Sequence, residues 1–392
     1  MNRDLLAVRP HASRTISDAV RDRCDVVDLT VGVSDFGPPD LVRRAMAAAV
    51  ASPSALDRYE HAQGHPALRE AIAERCRRRY GTDQRAADVL VTQGAAEALW
   101  LSVFAFTSPG DGVLLPDPGY MLYGAVVDAL GRRALRVPTT HTDGFRMTPR
   151  AVIAALAAPA TMLILNSPAN PTGATYSADQ VAELIHVAAA HDLVVVHDEV
   201  FDDFCWAQDH VPAALVAPPH ADVVMVNSMS KRYGMTGWRV GWMTGPPDLI
   251  AAASKAHTFL TLASPSHVQA ALSQAVTDPA VAAEVASHRT SVRERMERTA
   301  AALVALPGVD LGASRPGGGF YLFPRVAGIE VPAGDHPTHG EAVADHLLRT
   351  CGVAVVPGIV FGPSGGDHVR VSVAGAESAL DTALARLADA LG

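Results

Sequence analysis

The stretch VVMVNSMSKRYGMTGWR, residues 223–239, decides how this chain folds. Its first five residues form an apolar run that predicts a strand buried on both faces. A lysine, Lys231, follows among serines and glycines, and Arg239 comes eight residues later. A lysine on the polar face of a helix is ordinary, but one at the end of a buried strand lies where open α/β sheets bind ligands. The pattern therefore predicts a sheet with a binding site at its edge.

Length and composition predict a folded protein of about two domains. The chain has 392 residues, 49% hydrophobic and 19% charged, so a large core is available. Its formal net charge of -9 argues against a nucleic-acid partner, because phosphate backbones attract clustered Lys and Arg. The four cysteines lack the spacing of a metal site, so we expect no metal. Since neither a signal peptide nor a membrane-spanning run is found, we expect a soluble cytoplasmic protein without a membrane partner.

Short apolar runs alternate with longer helical segments from about residue 66 to residue 262. Because the runs are nearly continuous, they predict a doubly wound α/β fold, a mostly parallel sheet with helices on both faces. The predicted strands are 89–92, 113–116, 161–165, 193–197, 223–227 and 240–244. The C-terminal part changes to a long charged helix at about 279–305, a helix near 338–350, short strands and a last helix from Ala376. This part predicts a smaller α+β unit.

Polar or phosphate-compatible residues follow most of the predicted strands. They are Gly94, Ala95 and Ala96 after the first strand, Asn170 after the third, Asp198 after the fourth, and Ser228, Ser230, Lys231 and Arg239 after the fifth. Each has an ordinary explanation when taken singly, such as helix packing, a turn, an N-cap, a surface ion pair or a solvated side chain. Because parallel strands end at one edge of the sheet, the residues together indicate one site.

The residue types at this edge fit a phosphorylated pyridine ring. A helix N-terminus, two serines and Arg239 can hold a phosphate dianion. A buried carboxylate at Asp198 can pair with a protonated ring nitrogen, and Asn170 can donate to a ring oxygen. Lys231 can form a Schiff base once desolvation or nearby positive charge lowers its pKa below the usual value of about 10.4.

Three stretches carry a resemblance to a known family: SMSKRYGMTGWRVGW (228–242), NSPANPTG (166–173) and VVVHDEVF (194–201). In order and spacing they resemble the pyridoxal phosphate (PLP) enzymes of the aspartate aminotransferase superfamily, fold type I, class I and II. The resemblance continues through PDPGYMLY (116–123) and HVRVSV (368–373). It implies an N-terminal segment, 1–40, that packs on the small domain, a large PLP-binding domain, 41–275, and a small C-terminal α+β domain, 276–392.

The resemblance also implies a role for each candidate residue. Lys231 would hold PLP as a Schiff base and then move the α-proton of the substrate, and Tyr120 would stack on the cofactor ring. Asp198 would pair with the ring nitrogen, and Asn170 would donate to the ring oxygen. The implied phosphate-binding residues are Gly94, Ala95, Ala96, Ser228, Ser230 and Arg239, with Tyr59 from the neighbouring subunit of a homodimer. The implied substrate-binding residues are Arg370, which grips the α-carboxylate, with Gly32, Phe36 and Asn170.

Two departures from the family pattern bear on the reaction and on the substrate. The family's DE-x-Y reads DEVF here, so Phe201 stands where a tyrosine donates to the ring oxygen. The lost donor weakens the electron sink, which leaves a PLP-dependent lyase, cyclase or oxidase as an alternative to an aminotransferase. Dicarboxylate-specific relatives carry a second arginine near Phe259, where this chain has none. With Phe36 and Phe259 as apolar walls, we expect an α-amino acid that is not dicarboxylic and a 2-oxo acid as substrates.

Other functions fit the sequence less well. The PLP-fold sensor domain of a transcription regulator follows a DNA-binding module, whereas the resemblance begins by about residue 26. The GPSGG at 362–366 matches the GxSxG of serine hydrolases but leads into a strand instead of a helix. The GGGF at 317–320 opens a strand, which argues against a dinucleotide site. The sequence therefore predicts an aminotransferase first.

Overall fold

The structure is a computed structural model that describes residue 6 and residues 12–51, 55–312, 316–332 and 334–392. Its α-helices are α1 (Ala12–Val20), α2 (Asp40–Ala51), α3 (Pro66–Tyr80), α4 (Ala95–Phe106), α5 (Met121–Ala129), α6 (Pro149–Ala155), α7 (Ala178–Ala190), α8 (Ala213–Val216), α9 (Met229–Arg232), α10 (Pro247–Thr261), α11 (Ser266–Ala275), α12 (Pro279–Val304), α13 (His339–Thr350) and α14 (Glu377–Leu391). None of these described helices combines the length and apolar character that a membrane span requires.

The strands alternate with these helices along the chain. They are β1 (Val27–Asp28), β2 (Val89–Thr92), β3 (Gly112–Asp117), β4 (Arg133–Pro138), β5 (Met162–Asn166), β6 (Val194–Asp198), β7 (Val223–Ser228), β8 (Gly241–Thr244), β9 (Tyr321–Leu322), β10 (Val353–Ala354), β11 (Val356–Pro357) and β12 (Val369–Ser372). All six strands predicted from apolar runs are present, with ends that differ by at most one residue.

Seven strands form the central sheet, in the order β2–β8–β7–β6–β5–β3–β4. Neighbours from β7 to β4 run parallel, whereas β8 is antiparallel to both β7 and β2. Successive residues of β5 point to opposite faces, with Ile164 in a core that includes α4, α5 and α10, and Leu165 in a core that includes α6, α7 and α8. The predicted mostly parallel sheet with helices on both faces is therefore confirmed.

Strand β4 was not predicted from the sequence. It pairs only with β3 and forms one edge of the sheet, and most of its residues are exposed or half-buried. Its sequence, RALRVP, carries two arginines and lacks a continuous apolar run. Charged side chains are typical of edge strands, because they discourage pairing with other chains. The prediction failed because it looked for strands that are buried on both faces.

The C-terminal part forms a small antiparallel sheet, β11–β12–β9, packed with α12, α13 and α14 around its own core. Helix α12 begins after Asp278, whose carboxylate accepts hydrogen bonds from the amides of Ala280 and Val281. Strand β1 of the N-terminal segment pairs with β10 in parallel. The predicted α+β character is therefore present, while the domain limits at residues 40 and 275 stay predictions.

Gly241 is the point at which β8 approaches the first turn of α4. It pairs with Thr92 of β2 and with Ser228 of β7, so backbone surrounds it. A Cβ at this position would lie 2.6 Å from the carbonyl carbon of Gly94 and 2.7 Å from the amide nitrogen of Ala95. Because backbone atoms cannot move aside as a flexible side chain can, the strand and the turn would have to separate.

We expect Gly241→Ala to lower the free energy of unfolding by about 1–3 kcal/mol, which is the usual cost of overpacking a buried site. Urea denaturation of the purified protein measures this change. Gly375→Ala is the matched control, because a Cβ there meets nothing within 4 Å and its effect should stay within about 0.5 kcal/mol. Equal stability of the two variants would show that the approach is looser than described.

Candidate active site

A cavity of about 550 Å³ lies at the carboxyl ends of the central strands, between the sheet and the C-terminal part. It brings together most of the residues that were predicted from the sequence. Those that line it are Gly32, Ala95, Ala96, Tyr120, Asn170, Asp198, Ser228, Ser230, Lys231, Arg239 and Arg370. Its volume falls in the range of about 300–1,000 Å³ that is typical of small-molecule sites.

Three predicted residues are not among the described residues that line this cavity. Gly94 is the N-cap of α4 and directly precedes the lining residue Ala95. Tyr59 is 87% exposed. The ring of Phe36 stacks on His288, with ring centroids 4.1 Å apart. One chain alone therefore does not bring Tyr59 or Phe36 to the cavity, and their roles stay predictions.

The first turn of α4 and Arg239 form one end of the cavity. Gly94 has a positive φ of 82°, and a Cβ there would lie 2.4 Å from Nη2 of Arg239. That guanidinium is held by a hydrogen bond from Nη2 to the carbonyl of Gln93, at 3.2 Å. The amides of Ala95 and Ala96 belong to the first turn, whose N–H groups have no acceptor within a helix. A helix N-terminus beside a guanidinium is a site for an anion.

Two serine hydroxyls lie beside this end of the cavity. Ser228 caps the short helix α9, and its Oγ accepts from the amide of Ser230 at 3.0 Å. The Oγ atom of Ser230 lies 2.9 Å from that of Ser228, which is also 3.1 Å from the carbonyl of Val240. Both hydroxyls line the cavity, so they add neutral hydrogen-bond donors to the anion site.

Asp198 places a carboxylate in the cavity at the end of β6, and it is only 4% exposed. Its Oδ2 accepts from the hydroxyl of Tyr123 at 2.6 Å, and its Oδ1 accepts from the amide of Val200 at 3.2 Å. Burial raises the pKa of Asp198, although both hydrogen bonds act in the opposite direction. A cation that entered the cavity would stabilise the ionised form of this buried carboxylate.

Lys231 follows β7 and extends its amine into the same cavity. Its Nζ donates to the carbonyl oxygen of Gly32 at 2.6 Å. The same nitrogen lies 5.7 Å from the ring centroid of Phe201. Phe201 in turn packs edge-on against Phe320 and Tyr321. The amine is therefore oriented by one backbone carbonyl and lies beside an apolar ring that cannot donate a hydrogen bond.

Arg370 brings a buried guanidinium from β12 and is only 2% exposed. Its Cζ lies 4.2 Å from the ring centroid of Tyr321 and 4.9 Å from that of Phe361. Nη1 donates to Oδ1 of Asn170 at 3.1 Å, and Nη2 donates to the carbonyl of Thr30. Burial lowers the pKa of Arg370, and within the described residues its Nε has no acceptor. The guanidinium is thus fixed in orientation and has capacity for a carboxylate.

The structure also brings residues to the cavity that were missed in the sequence. They are Arg14, Tyr123, Asn166 and Tyr321. Tyr123 stands three residues after Tyr120, a spacing that places side chains on one side of a helix, and this signal could have found it. Arg14 gave no signal, because it reaches the cavity through the packing of α1 against β10 and β11, which are distant from it in the sequence.

The charges around the cavity suit a phosphorylated, protonated pyridine ring. The anion site at Arg239 suits the phosphate, Asp198 suits the ring cation, and Lys231 supplies an amine for a carbonyl. Arg370 then remains for the carboxylate of a second small molecule. The described residues therefore fit PLP together with an amino acid.

Comparisons with known proteins point to one family. Residues 24–387 match the sequence profile "Aminotransferase class I and II". The chain is 34% identical to the aspartate/prephenate aminotransferase of Thermus thermophilus over 397 aligned positions, covering 100% of this chain and 99% of that relative. It is 36% identical to the arginine–pyruvate transaminase of Pseudomonas aeruginosa over 357 positions, covering 90% of this chain and 87% of that relative.

Solved structures agree with this assignment. The aspartate aminotransferase from Thermus thermophilus with maleate superimposes with a TM-score of 0.91 at 33% identity, covering 100% of this chain and 99% of that one. The aromatic aminotransferase from Pyrococcus horikoshii superimposes with a TM-score of 0.86 at 29% identity, covering 96% and 98%. The chain therefore belongs to the aminotransferase class I and II family and is an aminotransferase.

Proposed function

We propose that this aminotransferase holds PLP in the cavity and moves an amino group between an α-amino acid and a 2-oxo acid. Members of its family use PLP. When bound, PLP supplies a carbonyl for the amino group and a ring that takes up electrons from the substrate carbon. The observation that carries the proposal is the convergence of Lys231, Asp198, Arg239 and Arg370 on one cavity.

The anion site would hold the cofactor phosphate. Arg239 supplies a positive charge, and the first turn of α4 supplies amide donors from Ala95 and Ala96. The hydroxyls of Ser228 and Ser230 add two further donors. Tyr120 lies in the same lining and would pack its ring on the cofactor ring.

Asp198 would keep the ring nitrogen protonated. Its hydrogen bonds from Tyr123 and Val200 favour the ionised carboxylate, and burial opposes ionisation. A cation held against the carboxylate would remove that conflict, because opposite charges in contact favour the ionised form. Binding of the cofactor and ionisation of Asp198 would therefore support each other.

Lys231 would hold the cofactor covalently and then move the α-proton of the substrate. Its Nζ already lies in the cavity, oriented by the carbonyl of Gly32. An amine within hydrogen-bond reach of the reacting carbon can accept the proton and return it at a second position. No other lysine lines the cavity within the described ranges, so this role falls to Lys231.

Arg370 would bind the α-carboxylate of the amino acid in a bidentate pair. Its bond to Oδ1 of Asn170 leaves the amide nitrogen of Asn170 to donate to the ring oxygen. The predicted apolar walls are not seen in one chain, because Phe36 packs on His288 and Phe259 is 85% exposed. That the substrate is not a dicarboxylic amino acid stays a prediction.

Transamination is the reaction that the family supports. Phe201 does occupy the position at which a donor to the ring oxygen was expected, and its ring faces the amine of Lys231. The relatives reported above are nevertheless named as aminotransferases and transaminases. Nothing in these comparisons favours the lyase, cyclase or oxidase alternative.

We also propose that two copies of the chain form a homodimer with shared sites. Tyr59 and Phe259 are 87% and 85% exposed, and Phe104, which stacks on Trp100, is 46% exposed. A partner subunit that covered these side chains would remove their apolar surface from water, which favours association. In such a dimer Tyr59 would reach the phosphate held by the partner. The cytoplasmic location stays a prediction.

Replacing Lys231 tests the proposal directly. We expect Lys231→Ala to fold and to lose turnover by about a thousandfold or more, since general acid–base catalysis alone contributes about 10²–10⁴ in rate. The chain contains two lysines, Lys231 and Lys255, so covalent attachment is easy to locate. After borohydride reduction of the PLP-loaded protein, peptide mass spectrometry should find the label on Lys231.

Lys255→Ala is the matched control, because Lys255 is exposed on α10. This variant should carry the label and turn over amino acids as the unaltered protein does. A label on Lys255 alone, or normal turnover by Lys231→Ala, would contradict the proposal. Adding amino acids singly to the loaded protein, and following formation of pyridoxamine phosphate, would also name the substrate.

Replacing Asp198 should separate stability from function. Because its pKa is raised, the ionised carboxylate disfavours folding, and stability is lost as the pH rises through that pKa. Asp198→Asn removes the charge and keeps an oxygen that accepts from Tyr123. At neutral pH the PLP-free variant should therefore melt at a higher temperature than the PLP-free unaltered protein. The difference between the two melting temperatures should disappear at acidic pH.

The same variant should bind PLP weakly and lose turnover. Asp179→Asn is the control, because this aspartate is exposed in the first turn of α7 and should give no gain in melting temperature. If PLP-free Asp198→Asn has a melting temperature equal to or below that of the PLP-free unaltered protein, this account of the site is wrong.

Mixing two inactive variants tests whether the sites are shared. If Tyr59 serves the partner's site, a dimer of one Tyr59→Ala subunit and one Lys231→Ala subunit contains one complete site. Random association then restores about a quarter of full activity at limiting PLP, since half of the dimers are hybrids with one working site. Arg370→Ala mixed with Lys231→Ala is the control and should stay inactive, because both residues line one chain's cavity. If the mixture of Tyr59→Ala and Lys231→Ala regains no activity, the two subunits do not share their sites.

A further inference from the structure

A cluster of mostly buried ions lies next to Lys231, outside the described lining of the cavity. It contains Arg75 and Arg79 from α3, Asp202 and Asp203 from the turn after β6, and Arg232 from α9. We refer to it as the arginine–aspartate network. Four of its members are nearly inaccessible, with Arg75 at 6%, Asp202 at 2%, Asp203 at 4% and Arg232 at 8% exposure.

The two aspartates are shared among the three arginines. Nη2 of Arg75 lies 2.6 Å from Oδ2 of Asp202 and 3.3 Å from Oδ2 of Asp203. Arg79 pairs with Asp203 and donates to the carbonyl of Asp202 at 3.2 Å. The hydroxyl of Tyr80 donates to Asp202. Helix α3 is thus joined to the turn after β6 by several charged hydrogen bonds.

The third arginine joins the turn to the segment that carries Lys231. Arg232 directly follows Lys231 in α9, and its Nη1 pairs with Oδ2 of Asp203. The same turn carries Phe201, which lines the cavity beside the lysine amine, and follows Asp198. One buried ion pair therefore connects the segment of the lysine to the segment of the carboxylate.

Asp202 and Arg75 stabilise each other in their ionised forms. Burial opposes the charge of Asp202, but Arg75 and Arg79 outweigh it, so its pKa lies well below the usual value. Burial likewise opposes the charge of Arg75, and Asp202 and Tyr80 outweigh it, which raises its pKa well above the usual value. Charges of both signs are therefore held in the protein interior.

Stability alone is a weak explanation for such a network. Desolvating several ions opposes folding, and well-packed apolar side chains of similar volume often replace buried ion pairs without loss of stability. Ion pairs do fix orientation, because each bond has a preferred distance and direction. The Nζ of a lysine is carried on four side-chain carbons, so the position of its backbone sets which points in the cavity the amine can reach.

We propose that Asp203 and Arg232, supported by Arg75, are positioning residues that fix Lys231 relative to Asp198. This inference rests on the proposed function, because it assumes that Lys231 attacks a carbonyl whose ring is held at Asp198. The network does not touch the cofactor or the substrate. It acts by setting where α9 lies against the turn after β6.

The test separates positioning of the lysine from binding of the cofactor. Pyridoxamine phosphate has the phosphate and the ring but no carbonyl, so it binds without a bond to Lys231. We expect Arg232→Gln and Asp203→Asn to bind pyridoxamine phosphate with unchanged affinity. Their rate of borohydride-trapped PLP attachment to Lys231 should fall by about tenfold or more, because small misplacements of a reacting group cost about that much. The kcat should fall with it, while the KM for the amino acid stays unchanged.

Controls distinguish this from general damage. Arg78 of helix α3 forms an ion pair with Glu74 at 3.4 Å, in which the two side chains are 63% and 43% exposed. Arg78→Gln removes this exposed pair and should leave the rate of PLP attachment unchanged. Arg232→Lys keeps the charge and should recover part of the attachment rate, which gives a measurement if Arg232→Gln does not fold. Parallel losses of pyridoxamine phosphate affinity and attachment would show a purely structural role and overturn the inference.

The outcomes also separate the inference from the proposed function. If the unaltered protein carries no label on Lys231, the proposed function fails. If the unaltered protein is labelled there, and folded Arg232 and Asp203 variants are labelled at the same rate with the same kcat, only the positioning role is overturned.

Discussion

Parallel pairing of β5, β6 and β7 is the constraint on which the rest of the structure depends. The register joins Asn166 to Asp198 and Asp198 to Val226, so neighbouring strands end at the same edge of the sheet. The chain leaves these strands through the segments that carry Asn170, Asp198 and Lys231. The apolar residues that bury the strands on both faces therefore also bring an amide, a carboxylate and an amine to one cavity. Packing of the core and assembly of the site have a single origin in the sequence.

Two carboxylates near the end of β6, one in the strand and one in the turn that follows, differ in their charged neighbours. Asp202 is surrounded by guanidinium groups of the protein, and its pKa is lowered against the effect of burial. Asp198, four residues earlier, has hydrogen bonds but no ion-pair partner within the described residues, and its pKa is raised. The fold supplies cationic partners to the first carboxylate, whereas in the proposed function the second would gain its partner from the cofactor. Neighbouring carboxyl groups with opposite pKa shifts are typical of sites that assign them different tasks.

The sequence was a good guide where one local pattern decides the outcome. Continuous apolar runs found the buried strands, and polar residues at strand ends found much of the cavity lining. Edge strand β4 was missed, because its arginines and exposed positions lack that pattern. Phe36 was expected in the cavity, but whether its ring faces the cavity or His288 is decided by packing between distant segments. Tyr123 could have been predicted from helical spacing, whereas the role predicted for Tyr59 requires a second chain, which one sequence does not place.

The residues that we propose for the cofactor and the rest of the cavity lining come from different parts of the chain. Most of the residues proposed for the cofactor lie at strand ends, whose positions the sheet fixes. Two relatives of similar identity have different names, one for aspartate and prephenate and the other for arginine and pyruvate. Relatives with such different names share one fold, so the fold alone does not set the substrate. In this chain the remaining lining includes Arg14 of α1 with Val31 and Val33, residues that pairing of β1 with β10 ties to the C-terminal part. This part of the lining comes from segments outside the central sheet, so its placement does not depend on the register of β5, β6 and β7.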